Sequence, residues 1–227
     1  IVTGGDGRFA QELKKINSRY SFIFTNKRKL NILSLKSINQ NLKSLKPDAI
    51  IHLAGLSRPM SIHEKKINKS IDANIIGTAN LVKACNDNNV KLIFLSTSYV
   101  YPGKKGNYKE NDSLLPWNNY GWSKLGAEAA VQMYKNSLII RACMTQKPFT
   151  HESAFSNVKS NFIFHDEFAK LFIKIINKKG VINIGGKQRT IYLFAKKYNK
   201  NIKKINSTGE LPKKMDMNLV KFKSLVK

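Results

Sequence analysis

The 227-residue sequence predicts an α/β fold built on a doubly wound parallel sheet, and three observations carry that prediction. Short apolar runs alternate with helix-period patterns through the first two-thirds of the chain, the rhythm of βαβ units. The apolar runs are apolar on both faces, as strands covered by helices on both sides must be. A glycine-rich junction, "VTGGDGRFA", stands between the first strand and the first helix.

The elements follow in order. "IVTGG" reads as the end of a buried strand whose first residues precede Ile1. Strands are expected at Ile1–Thr3, Phe22–Thr25, Ala49–Leu53, Leu92–Ser96 and Leu138–Arg141, and helices at Phe9–Asn17, Lys66–Asn88 and Tyr120–Lys135. The 66–88 segment repeats Ile67, Ile71, Ile75, Thr78, Leu81, Val82 and Cys85 at three- and four-residue steps, which places them on one helical face. After Arg141 the pattern weakens, and "CMTQKPFTHESAFSNVKSN" is polar and irregular. A strand at Asn161–Phe164, a helix at Asp166–Lys178, a strand at Val181–Ile184 and a helix at Thr190–Tyr198 complete the chain. The expected division is a cofactor-binding domain over residues 1–143 and a small substrate-binding lobe over 144–227, interleaved with the last strands of the sheet.

Composition narrows the function. Forty basic and fourteen acidic residues give a net charge of +26. The lysines are spread through every segment, and no zinc-finger spacing or RNA-binding aromatic motif accompanies them. Nucleic-acid binding is therefore disfavoured, and attraction for phosphate-bearing small molecules is expected. No apolar run is long enough to span a membrane, and a cytoplasmic protein is expected. Cys85 and Cys143 lie in apolar segments, outside any C-x-x-C pair, and read as buried reduced thiols. His63, His151 and His165 lack metal-ligand spacing, so no metal is expected. His52, inside an apolar strand, reads as a packed histidine.

The junction "VTGGDGRFA" sets Gly4, Gly7 and Ala10 in the spacing G-x-x-G-x-x-A. Gly4 permits the tight turn, Gly7 admits a pyrophosphate close to the backbone, and Ala10 lets the helix pack on the strand, while Arg8 and Phe9 open that helix. The fold is therefore Rossmann-like, with a dinucleotide at this turn. The second strand runs into "TNKRK", where a carboxylate for an adenosine ribose would otherwise stand. Lys27 and Arg28 suit a 2′-phosphate there, which favours NADP(H) over NAD(H), with NAD(H) left open.

Several segments in order then resemble the extended short-chain dehydrogenase/reductase family, most closely its dTDP-4-dehydrorhamnose reductases and related sugar-nucleotide enzymes. "PDAIIHLAG" resembles the segment after the third strand, "NIIGTANLVKAC" the helix that follows, and "FLSTSYVYPG" the strand ending in S-T-D. "YKENDSLLPWNNYGWSKLGAE" resembles the motif that leads into Y-G-x-S-K. By that resemblance Leu53, Ala54 and Gly55 lie beside the cofactor's ribose and pyrophosphate. Asn74 supports the active-site geometry, and Asn31 stands where the family's adenine-contacting aspartate does. Thr97, Tyr120 and Lys124 form the catalytic set, with Lys124 also holding the nicotinamide ribose. Ser98 replaces the aspartate of S-T-D, and the stretch from Met144 to Ser160 is shorter than the family's insertion.

Tyr120 and Lys124, four residues apart, share a helix face. A nearby ammonium is expected to lower the tyrosine pKa from near ~10 and to make it an effective proton donor. Glu128 is expected to pair with a nearby base on a helix face, and Trp117 and Trp122, which flank Tyr120, to serve packing. The resemblance implies NADP(H)-dependent reduction of a 4-keto-6-deoxy sugar nucleotide in deoxysugar and polysaccharide biosynthesis, by an NAD(P)-dependent oxidoreductase. A nucleotide-sugar substrate follows, and a homodimer is compatible with it. The alternatives are a sugar-nucleotide 4-epimerase of the same fold and a non-catalytic NADP-binding regulatory subunit.

Overall fold

A computed structural model of the chain describes residues 1–226. Its strands are β1 (Val2–Thr3), β2 (Phe24–Thr25), β3 (Ala49–His52), β4 (Lys91–Thr97), β5 (Ser137–Ala142), β6 (Met144–Thr145), β7 (Ser153–Phe155), β8 (Lys159–Ser160), β9 (Ile163–Phe164), β10 (Gly180–Ile184), β11 (Arg189–Thr190) and β12 (Lys203–Ile205). Its helices are α1 (Arg8–Lys14), α2 (Leu35–Leu45), α3 (Ser61–Lys65), α4 (Ile67–Ser70), α5 (Gly77–Asp87), α6 (Asn119–Gln132), α7 (His165–Ile175), α8 (Ile191–Lys196) and α9 (Val220–Leu225).

Six strands form one sheet in the order β10-β5-β4-β3-β1-β2, every neighbouring pair parallel. The chain leaves β1 toward β2 on one side and then crosses to β3 on the other. The C-terminal ends of β1 and β3 therefore flank a topological switch point, where ligands bind in such sheets.

Successive side chains leave a strand on opposite faces, and the core divides accordingly. Ile51, Ile93, Leu138, Ile140, Ile182 and Ile184 pack with Phe9 and Leu13 of α1, with Phe168, Phe172 and Ile175 of α7, and with Phe222 of α9. Ile50, Leu92, Phe94 and Ile139 pack with Ile38 and Leu42 of α2, Leu81 and Cys85 of α5, and Ala127 and Val131 of α6. Each such side chain taken from water stabilises the fold by roughly 1.5–3 kcal/mol. Both cysteines are buried and free.

The sequence expectation omits α2, and its one helix over 66–88 is observed as α4, a π-helical turn and α5 running on from one another, with helical backbone at each joint. Lys66 separates α3 from α4, and a wide π-helical turn at Ile71–Ile76 joins α4 to α5. The irregular 144–160 stretch is tied down by short strands: β6 pairs with β9, β7 with β12 and β8 with β11. A third cluster, with Phe149, Val158, Phe164, Phe194 and Met215 at its centre, forms this part's own core. Among the described residues no helix is long and apolar enough to cross a membrane.

Candidate active site

The turn after β1 brings two backbones into contact. Gly4 has φ +67°, and a Cβ there would lie 2.7 Å from the Ala54 nitrogen. Only glycine combines that conformation with that approach. The facing segment after β3 is fixed from beneath: Thr3 Oγ1 accepts hydrogen bonds from the Leu53 and Ala54 N–H groups at 3.2 and 3.1 Å.

His52 completes this arrangement. Its Nδ1 is 3.0 Å from Thr3 Oγ1 and its Nε2 is 2.9 Å from Thr78 Oγ1. Thr78 donates its one proton to the Asn74 carbonyl at 2.6 Å. His52 must therefore donate from Nε2 and accept at Nδ1, which fixes a neutral tautomer. Burial, reinforced by the positive charge of Lys124, pushes its pKa down to about 3. As the sequence suggested, His52 is a packed histidine with both ring nitrogens satisfied.

Asn74 sits in the π-helical turn and joins two parts of the site. Its Oδ1 accepts from the Leu56 N–H at 2.7 Å, and its Nδ2 donates to the Leu56 carbonyl at 2.9 Å and to Ser123 Oγ at 2.8 Å. Ser123 in turn donates to the Tyr120 carbonyl at 2.8 Å. One buried side chain thus sets the distance between the β3 loop and the first turn of α6. That helix starts at Asn118, whose side chain accepts from the Gly121 N–H at 2.8 Å, an N-cap worth about 1 kcal/mol.

Two adjoining cavities occupy the switch point. The smaller, about 400 Å³, is lined by Gly4, Gly7, Lys27, Asn31, Leu53, Ala54 and Gly55, among others. The larger, about 980 Å³, is lined by Arg8, Phe9, Ala10, Asn74, Thr97, Tyr120 and Lys124 and shares Gly7 and Leu53–Gly55 with the first. The expected cofactor and catalytic residues are thereby brought to one continuous trough, with Arg28 as the exception. Arg28 lines neither cavity and is exposed, its N–H donating to Asn26 Oδ1 at 3.1 Å. Phe9 contributes to the wall while its ring packs on Phe168 at 5.0 Å. Trp117 packs on Tyr99 at 5.1 Å, whereas Trp122 is exposed.

The electrostatics of Tyr120 and Lys124 differ from the sequence expectation. Burial pushes the Tyr120 hydroxyl up to about 12, opposed by a side-chain hydrogen bond with Thr97 and by the Arg58 guanidinium. Burial also pulls Lys124 down to about 7, opposed by Glu128. The lysine does not lower the tyrosine pKa: loss of solvent outweighs the local charges and disfavours the ionised form of each group. Tyr120 is a phenol throughout the neutral range, a form that can donate a proton. Glu128 does pair with a base, but the partner is Arg141 on strand β5 and not a neighbour on a helix face, because α6 packs on that strand.

Residues outside the sequence expectation also reach the site. Arg58, Tyr99, Cys143 and His165 line the larger cavity, and the His63 ring lies 5.0 Å from the Tyr120 ring. Arg58 carries a signal only in its place, three residues after Gly55. His63 carries none, being brought to Tyr120 by the packing of α3 on α6.

Comparisons with known proteins bear on this site. Residues 1–148 match the family model described as RmlD substrate binding domain. A dTDP-4-dehydrorhamnose reductase from Aggregatibacter actinomycetemcomitans is 29% identical over 150 residues, 64% of this chain and 51% of that relative. Methionine adenosyltransferase 2 subunit beta from Danio rerio is 33% identical over 103 residues, 45% of this chain and 31% of that protein. The chain thus spans about half the length, or less, of these curated relatives. Its fold matches the crystal structure of dTDP-4-dehydrorhamnose reductase from Bacillus anthracis in complex with NADP. The TM-score is 0.87 at 20% identity, over 98% of this chain and 90% of that one.

Proposed function

The chain belongs to the RmlD substrate binding domain family, and from that premise we propose that it is an NADP(H)-dependent reductase of a nucleotide sugar, with a 4-keto-6-deoxy sugar as the reacting part. The observation that carries this reading is the trough itself: Thr97, Tyr120 and Lys124 line the cavity that continues into the Gly4–Ala54 crossing. The residues present fit a dinucleotide: Gly7, Leu53, Ala54 and Gly55 line both cavities, and Lys27 lines the smaller one.

In this proposal the turn at Gly4 and Gly7, with Arg8, Phe9 and Ala10, receives the pyrophosphate. Lys27 and Asn31 receive the adenosine end, and Leu53, Ala54, Gly55 and Asn74 border the middle. The bound nicotinamide supplies the hydride. Thr97 holds the substrate carbonyl oxygen, Tyr120 gives its phenolic proton to that oxygen as negative charge develops, and Lys124 steadies the charge and the ribose. A division at residue 143 between cofactor domain and substrate lobe, a deoxysugar-biosynthetic role and a cytoplasmic setting belong to the same proposal. So does a homodimer.

A second reading, a cofactor-holding subunit of a larger assembly, is favoured by the likeness to methionine adenosyltransferase 2 subunit beta. Loss of NADPH absorbance with a panel of 4-keto sugar nucleotides separates the two. Turnover supports the reductase; NADPH binding without turnover supports the subunit.

A further inference from the structure

Beneath the trough lies a buried ion pair that the chemistry above does not use. Glu128 and Arg141 are 0% and 1% exposed and meet at 2.8 Å. Arg141 Nε adds contacts of 3.1 and 3.2 Å to the two carboxylate oxygens. The pair is held from three sides. Ser96 on β4 donates to Glu128 Oε1. Arg141 Nη1 donates to Tyr101 Oη at 2.8 Å and to the Glu110 carbonyl at 2.9 Å. Tyr101 in turn donates to Asn183 Oδ1 on β10 at 2.9 Å.

Its position relates it to the site. Glu128 is one helical turn beyond Lys124, and Ser96 immediately precedes Thr97 in β4. The same carboxylate thus ties the α6 turn that carries Lys124 to the strand end that carries Thr97. A buried ion pair is weak grounds for stability, because desolvation cancels much of its attraction. Its directional contacts constrain geometry.

We propose that Glu128 is a positioning residue for the reaction: by accepting from Ser96 and pairing with Arg141 it holds the α6 turn that carries Lys124 against the strand end that carries Thr97, and so sets the surroundings of the Lys124 amine. This rests on the catalytic reading of Thr97 and Lys124. The charged and titratable groups around Lys124 support it. His52 from β3 is neutral and Tyr120 on α6 is a phenol. The Phe94 ring on β4 faces the ammonium, and Arg141 on β5 lies behind Glu128. Glu128 supplies the negative charge that opposes desolvation of Lys124.

The test titrates Lys124 directly. Full-length protein is reductively methylated with ¹³C, and the Lys124 resonance is assigned by its absence in Lys124→Arg. The Lys124 midpoint is expected to fall by about one pH unit in Glu128→Gln, the loss of one nearby opposite charge. It should fall by less in Glu128→Gln/Arg141→Met, which removes both charges and remains the test if the single variant does not fold. The pH at which kcat is half-maximal should move with it. An unchanged midpoint in a cooperatively melting variant would reduce the pair to a structural one and overturn the proposal. Because the titration needs no substrate, a failure of the reductase reading shows separately, as absent turnover in the wild type.

Discussion

The Lys124 ammonium lies 4.0 Å from the centre of the Phe94 ring, on the floor of the trough and out of bulk solvent. An aromatic face attracts a cation without replacing the water it has lost. That arrangement explains a lysine whose pKa is pulled down to about 7 beside a tyrosine pushed up to about 12.

The pH dependence of activity follows. If the ammonium is the working form, kcat/KM, which reports the free enzyme, holds below pH 7. It then falls about tenfold per pH unit above it. Tyr120 stays protonated over this range and adds no limb. Initial rates from pH 5.5 to 9 check this, and a profile that rises through pH 8 would contradict it.

The cofactor turn is tested at Gly4. Alanine there adopts a left-handed conformation at a cost of roughly 1–2 kcal/mol, and its methyl collides with the Ala54 backbone. Gly4→Ala is expected to melt several degrees lower and to bind NADPH at least about tenfold more weakly. NADPH fluorescence titration reads the second effect.

Cofactor preference is tested at the two neighbouring bases. Lys27 lines the trough and Arg28 does not. Lys27→Ala is expected to weaken NADPH by about tenfold, the scale of one charge-assisted hydrogen bond, while leaving NADH unchanged. Arg28→Ala is expected to stay within twofold for both. Equal losses in the two variants would show that only bulk charge matters.

Stability carries its own pH signature through His52. Its ordinary value of 6.5 is depressed to about 3 in the folded chain. Below pH 6.5 the unfolded state binds a proton that the folded state refuses. The neutral-form stabilisation is complete above that pH and is lost at up to about 1.4 kcal/mol per pH unit as pH falls toward 3. Denaturant melts between pH 7 and 4.5 should show this slope, and His52→Gln should flatten it.

The sheet strands and the glycine turn were legible in the sequence because their signals are local: an apolar run, or small residues at fixed spacing. Helix α2 is local too. Ser34 caps it and Ile38 and Leu42 face the core, but so polar a segment buries only those two side chains, and its pattern is faint. Other features depend on packing across the chain. Glu128 and Arg141 meet because a helix lies on a strand, and the raised Tyr120 pKa reflects how much water the folded trough excludes. Arg28 stands beside Lys27 in sequence, yet the turn sends it to solvent. The short strands of the C-terminal part pair segments that no spacing relates.

The central claim is that Tyr120 delivers the proton in ketone reduction. NADPH consumption with a 4-keto-6-deoxy sugar nucleotide, wild type against Tyr120→Phe, tests it most directly. The phenylalanine keeps the ring that packs on Tyr99 at 5.9 Å and removes only the hydroxyl. The account predicts unchanged NADPH affinity and a kcat lower by about 10²–10⁴-fold, the worth of a positioned proton donor. Equal turnover by the two proteins would contradict it.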